Sequence, residues 1–195
     1  MNRDEVAALR ALLVPTGWPE RAQVLARALR TSTRSPGGLL LVGTPASEPW
    51  HLAAHLDDES RLSGIAELTP TLIRWSPTAG APPHLRVGLG RLEAARRGET
   101  LFVVTPDTAP PLLLERVSDA RHLGATVLAL TRGDRELAGL AHEALTVPGE
   151  ELSPVSFTVA QHLVSAAAAG RDAPPRRGVR DRLAHLLDLV SGPSG

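Results

Sequence analysis

The stretch from Glu99 to Thr131, ETLFVVTPDTAPPLLLERVSDARHLGATVLALT, constrains the fold more than any other part of the chain. Leu101 to Val104 and Ala125 to Leu130 are short, near-continuous apolar runs rich in Val and Leu. That is the pattern of strands buried on both faces of a parallel sheet. Between them Leu113, Val117, Ala120 and Leu123 recur at helical spacing and make one apolar stripe, while Glu115, Arg116, Asp119 and Arg121 hold the other faces. Gly124 follows as a residue that accepts the left-handed conformation closing a helix. Strand, helix and strand joined by short links make one βαβ unit, so the chain builds a parallel sheet.

The same alternation extends in both directions. Apolar runs at Leu39 to Val42, Thr71 to Trp75 and Ala144 to Val147 supply three more strands. Helical spacing marks Asp4 to Val14, Trp18 to Arg30, Glu48 to Asp58 and His84 to Arg97, then a short helix capped by Asp134 and running through Ala141, and a long one from Ser153 to Ala169. Five strands alternating with helices predict an α/β fold: a three-layer α/β/α sandwich around a five-stranded, mostly parallel sheet, with extra N-terminal and C-terminal helices. Residues 1–170 form one domain in this reading. Residues 171–195 form a hinge, in the sequence GRDAPPRRG that starts at Gly170 and ends at Gly178, and a separate amphipathic helix whose Leu183, Leu186, Leu187 and Val190 must be covered by the domain or by a partner subunit.

Composition narrows the function. The 195 residues are 43% hydrophobic and 22% charged with a formal net charge of zero, so no global field steers the protein to nucleic acid or to an anionic membrane. All 21 basic residues counted as Lys or Arg are arginine, a signature of coding bias more than of a selected surface. The absence of cysteine excludes disulfides, thiolate catalysis and Cys-ligated metal sites. The opening MNRDEVAALRALLVP lacks the form of a signal peptide and no run is long enough to span a bilayer, which makes a cytoplasmic protein the expectation.

Ligands of open parallel sheets bind beyond the carboxyl ends of the strands. The residues to weigh are therefore Gly43, Thr44 and Ser47 after the first strand, Thr105, Asp107 and Thr108 after the third, and Ser153 at the start of the last helix. Several have a simpler use. Thr44 and Ser47 are ordinary helix caps, and Asp107, ahead of Thr-Ala-Pro-Pro, is placed to cap the following helix.

The order GLLLVGTPAS, GETLFVVTPDTAPP and GATVLALTRGDRELAGLAHEALTVP, closed by a long helix, resembles the SIS (sugar isomerase) domain family across roughly residues 20 to 170. The resemblance implies a flavodoxin-like domain, usually dimeric or tetrameric, that binds phosphosugars as an isomerase, synthase or sensory module. It implies a Gly-x-Gly-x-Ser type loop after strand one, where Gly43, Thr44 and Ser47 stand with Pro45 between them. It also implies a Ser-x-Ser-Gly-x-Thr phosphate loop after strand three, where this chain has Thr105, Pro106, Asp107, Thr108, Ala109 and Pro110.

Those departures have a physical meaning. A phosphate cradle works through unpaired backbone N–H groups at a helix start, assisted by hydroxyls. Pro106, Pro110 and Pro111 carry no such donor. Asp107 adds a like charge that at 4 Å repels by roughly 4 kcal/mol at an effective dielectric of 20. The expectation is a phosphosugar-binding domain with a degenerate phosphate loop, non-catalytic and homodimeric. One alternative is an active isomerase with Glu150 or Glu151 as general base and Glu48 as the substitute. Another is a scaffold acting through the C-terminal helix. His51 and His55 lie four apart, but residue 52 is not glutamate and no second ligand cluster is visible in the sequence, so no metal and no cofactor is expected. Arg132-Gly133-Asp134 reads as a strand-end turn and a cap. Arg171, Arg176, Arg177, Arg180 and Arg182 read as a solvated linker without the aromatic residues that stack on bases, so no nucleic-acid partner is expected.

Overall fold

The computed structural model describes residues 17–148 and 156–170. Its elements, in chain order, are α1 (Trp18–Ser32), β1 (Leu39–Val42), α2 (Trp50–Ser63), β2 (Pro70–Leu72), β3 (Thr100–Thr105), α3 (Pro111–His122), β4 (Thr126–Thr131), α4 (Arg135–Leu140), β5 (Glu143–Thr146) and α5 (Phe157–Ala168). The five strands form one sheet in the order β2-β1-β3-β4-β5. Every pairing is parallel. This is the doubly wound order of flavodoxin-like folds, with its switch point between β1 and β3.

The three layers follow from burial on both faces of the strands. β1 and β3 are buried at every position, as the continuous apolar runs require. On one face Leu39, Leu41, Phe102, Leu128 and Leu130 meet Leu25 and Leu29 of α1, Leu52 and Leu56 of α2, and Leu163 and Val164 of α5. On the other Leu40, Val42, Val103 and Val127 meet Leu113 and Val117 of α3, Leu137 of α4 and Leu92. The expected α/β/α sandwich is therefore the fold, with the sheet wholly parallel. The opening βαβ unit forms as predicted: Thr100 to Thr105 pairs in register with Thr126 to Thr131, and Gly124, at φ 94°, makes the turn out of α3.

Three expectations fail for local reasons. Thr44 and Ser47 do not cap α2, whose N-cap is Pro49 without a side-chain bond. The helix predicted from His84 to Arg97 is instead two 3₁₀ segments, Pro83–Leu85 and Leu89–Ala94. Gly88 and Gly90 raise the entropic cost of ordering its middle, and Gly88 is extended, at φ −97° and ψ 177°, which separates the two segments. Its Leu85-Leu89-Leu92-Ala95 stripe is correspondingly half used, with Leu92 and Ala95 buried. Asp107 caps nothing: α3 begins at Pro111, has Pro110 at its N-cap without a side-chain bond, and leaves Asp107 exposed. The predicted helices at 4–14 and 179–190, the hinge, Glu150, Glu151 and Ser153 lie outside the described residues.

Candidate functional site at the carboxyl edge of the sheet

The loop after β1 is closed on itself. Thr44 and Ser47 exchange backbone N–H and carbonyl bonds at 3.1 and 3.2 Å, and the Thr44 hydroxyl accepts the Ser47 N–H as well. Thr44 is buried, so its hydroxyl faces the turn. Gly43 permits this closure because a Cβ there would lie 2.1 Å from the Ser47 carbonyl oxygen and 2.8 Å from Cδ of Pro49. Glu48 then anchors the loop to the segment after β2. Its carboxylate accepts from Arg74 Nε at 2.6 Å, from the Trp75 N–H at 2.9 Å and from Trp50 Nε1 at 3.1 Å. Arg74 lies over the Trp50 ring, 4.1 Å from its centroid, and Trp75 Nε1 donates to the Gly43 carbonyl.

The loop after β3 also uses its polar groups internally. The buried Thr105 hydroxyl accepts the Asp107 N–H at 3.1 Å and donates to the Asp107 carbonyl. Its tie to the rest of the edge comes from Asp134, whose Oδ2 accepts the Ala109 N–H at 2.7 Å while Oδ1 accepts the Leu137 N–H at 3.0 Å and caps α4. Thr131, paired with Thr105 across the sheet, repeats the pattern by accepting from the N–H groups of Gly133 and Asp134. These are side-chain-to-backbone turns that compete with any ligand for the same donors.

Between the two loops lies a cavity of about 370 Å³, lined by Pro106, Asp107 and Thr108 on one side and Thr131, Arg132, Gly133 and Asp134 on the other. It stands over β3 and β4, one strand beyond the switch point. The structure thus gathers Asp107 and Thr108 at one opening, leaves Gly43, Thr44 and Ser47 in their own turn, and holds Thr105 beneath the β3 loop. Sequence reasoning missed Arg132. Its position directly after a buried strand, at the edge where ligands bind, is the signal that marks it. Its guanidinium lies 5.7 Å from the Phe157 ring centroid.

A second grouping borders this edge. His162 of α5, scattered in the sequence from the other histidines, meets His51 and His55 of α2. Burial, aided by His55 and His51, holds the His162 imidazole below its ordinary range.

No family model matches the sequence, and no curated protein matches it. Solved structures do share its fold. The sugar isomerase domain of the RpiR transcription factor from Sphaerobacter thermophilus superposes with a TM-score of 0.55 at 20% identity, over 86% of this chain and 87% of that one. The Vibrio vulnificus NanR protein, solved in complex with ManNAc-6P, superposes with a TM-score of 0.51 at 12% identity, over 95% of this chain and 70% of that one. With the 2-1-3-4-5 parallel sheet and the helices on both its faces, this likeness gives the chain the fold of the sugar isomerase (SIS) domains.

Proposed function

We propose that this chain is a divergent member of the SIS family that binds a carbohydrate derivative of the phosphosugar class through a degenerate phosphate loop, without isomerase catalysis. The observation that carries the reading is the internal use of both edge loops: Thr44 and Ser47 bond to each other, and Thr105 bonds to Asp107. A phosphate approaching them finds few free donors. The cavity between the β3 and β4 loops is then the place for the ligand: Arg132 in its wall is the partner for the anionic group, and the carboxylates of Asp107 and Asp134 beside it accept from sugar hydroxyls. Glu48, the described carboxylate among the base candidates, is held by three donors and positions a loop instead of moving a proton. Vibrio NanR with its bound ManNAc-6P supplies the ligand class by analogy of fold. In this reading the domain works as a homodimer in the cytoplasm and uses neither nucleic acid nor membrane. No described helix is long and apolar enough to cross a membrane.

The test is a thermal-shift series with hexose, heptose and N-acetylhexosamine phosphates at millimolar concentration, on the wild-type chain and on Arg132→Ala. A ligand at one hundred times its dissociation constant adds about 2.7 kcal/mol. For a domain of this size that is a rise of roughly 5–11 °C, and Arg132→Ala should lose most of it. Stabilisation by none of the series would overturn the binding reading. Exchange of a C2 deuteron of any bound sugar with solvent would replace it with the isomerase reading.

A further inference from the structure

The strongest unassigned chemistry lies in the three histidines where α2 meets α5. His51 and His55 stand on one face of α2 because residues four apart on a helix lie one above the other. His162 comes from α5, 111 residues beyond His51. The Nε2 atom of His51 lies 2.9 Å from that of His162 and 3.2 Å from that of His55. All three rings offer a nitrogen within 4.8 Å of the others.

Hydrogen bonding alone does not account for this arrangement. An imidazole nitrogen carries either one proton or one lone pair in the ring plane, so it completes one good hydrogen bond. His51 Nε2 has two nitrogen neighbours at contact distance and can serve one of them. The rings do not stack either: they meet edge to face, at interplanar angles of 85°, 83° and 68° with centroids 4.3 to 4.7 Å apart. The three rings instead bring one nitrogen each to within 4.8 Å of the others, close enough for their lone pairs to share one cation after small side-chain rotations. Two ligands on a tetrahedral zinc ion, each at 2.0–2.1 Å, stand about 3.3 Å apart, close to the two Nε2 separations seen here.

We infer that His51, His55 and His162 form a binding site for a first-row divalent transition metal of the zinc class, which clamps α2 to α5. An all-imidazole donor set selects such ions over magnesium or calcium, which prefer oxygen. Three protein nitrogens leave one tetrahedral position for water or a small ligand, on the side where His51 is exposed. The site is independent of the phosphosugar reading, because none of its residues lines the cavity over β3 and β4.

The experiment treats the full chain with a chelator, removes the chelator, and titrates the protein with Co²⁺ followed by Zn²⁺. One equivalent of Co²⁺ per chain, the intense visible bands of a tetrahedral cobalt site and displacement by Zn²⁺ are expected. His51→Ala and His162→Gln should each weaken binding by about tenfold or more, for loss of one of three protein ligands, and His84→Ala should leave it unchanged. Histidine side-chain ¹⁵N spectra of the wild-type chain provide a readout that needs no variant: Zn²⁺ should shift the Nε2 signals of three histidines together. Wild-type protein that binds less than stoichiometric metal, or spectra in which these three signals do not move, would overturn the inference. So would a folded His51→Ala, His55→Ala double variant with undiminished affinity.

Discussion

Asp134 accepts the Ala109 backbone N–H at 2.7 Å, and with its other carboxylate oxygen it caps α4 through Leu137. One side chain therefore ties the β3 loop to the β4 loop and fixes the mouth of the cavity. Asp134→Ala removes a helix cap worth about 1 kcal/mol. It also strands the N–H of the buried Ala109, at about 1–3 kcal/mol. A loss of about 2–4 kcal/mol in urea unfolding is expected, with Asp134→Asn recovering much of it because an amide oxygen still accepts. A loss below about 0.5 kcal/mol would show that Asp134 does not hold the loops together.

Two glycine substitutions should move stability in opposite directions. A Cβ at Gly43 would meet the Ser47 carbonyl oxygen at 2.1 Å and approach the Val104 carbonyl oxygen at 3.1 Å, both of them backbone atoms that cannot turn aside. Gly43→Ala should therefore destabilise by about 3 kcal/mol or more, at the upper end of overpacking costs. Gly139 lies inside α4, where a Cβ meets nothing within 4 Å. Gly139→Ala should stabilise by about 0.5–1 kcal/mol through helix propensity and a less flexible unfolded chain. Chemical denaturation of both variants beside wild type decides the pair.

Glu48 and Arg74 make a largely buried ion pair, with side-chain exposures of 12% and 17%. The same carboxylate takes the Trp75 N–H, so its removal leaves both a charge and a donor without their partner. Glu48→Ala should cost about 3 kcal/mol, the range for breaking one side of a buried pair. In the Glu48→Ala, Arg74→Ala double variant the two losses should fall short of additivity by more than about 0.5 kcal/mol. Trp50 and Trp75 both touch this group, so their fluorescence should report the change directly. Additive losses would mean that the pair is not coupled.

The sheet was legible in the sequence because burial on both faces writes itself as uninterrupted apolar runs. β1 falls on the predicted Leu39 to Val42, and of the helix stripe Leu113, Val117 and Ala120 lie buried as read while Leu123, at the C-cap, is exposed. The edge was less legible. Asp107 has the composition of a cap, yet the carboxylate that organises its loop belongs to Asp134, 25 residues beyond the Ala109 whose N–H it takes, a partnership set by the β3–β4 pairing and not by local spacing. The segment from His84 to Arg97 shows the limit of periodicity, since its leucines recur at helical intervals while Gly88 and Gly90 raise the cost of ordering its middle. His51 and His55 were visible as a pair. Their third member was not, because only the packing of α2 on α5 brings His162 to them.

Thr33 and Thr100 offer a sharper test of how the first layer is joined to the sheet. The Thr33 hydroxyl donates to the Thr100 hydroxyl at 2.8 Å, and both residues are buried, just after α1 and at the start of β3. Valine matches threonine in shape, so Thr100→Val keeps the packing and deprives Thr33 of its acceptor, and Thr33→Val does the reverse. Each single change leaves a buried hydroxyl unpaired and should destabilise by about 1–2 kcal/mol. The double change removes both polar groups together and should lie within about 0.5 kcal/mol of wild type, since an apolar pair of equal shape can replace a hydrogen-bonded one. A double variant less stable than either single variant would mean that these hydroxyls serve other partners, and guanidinium unfolding of the four proteins separates the two outcomes.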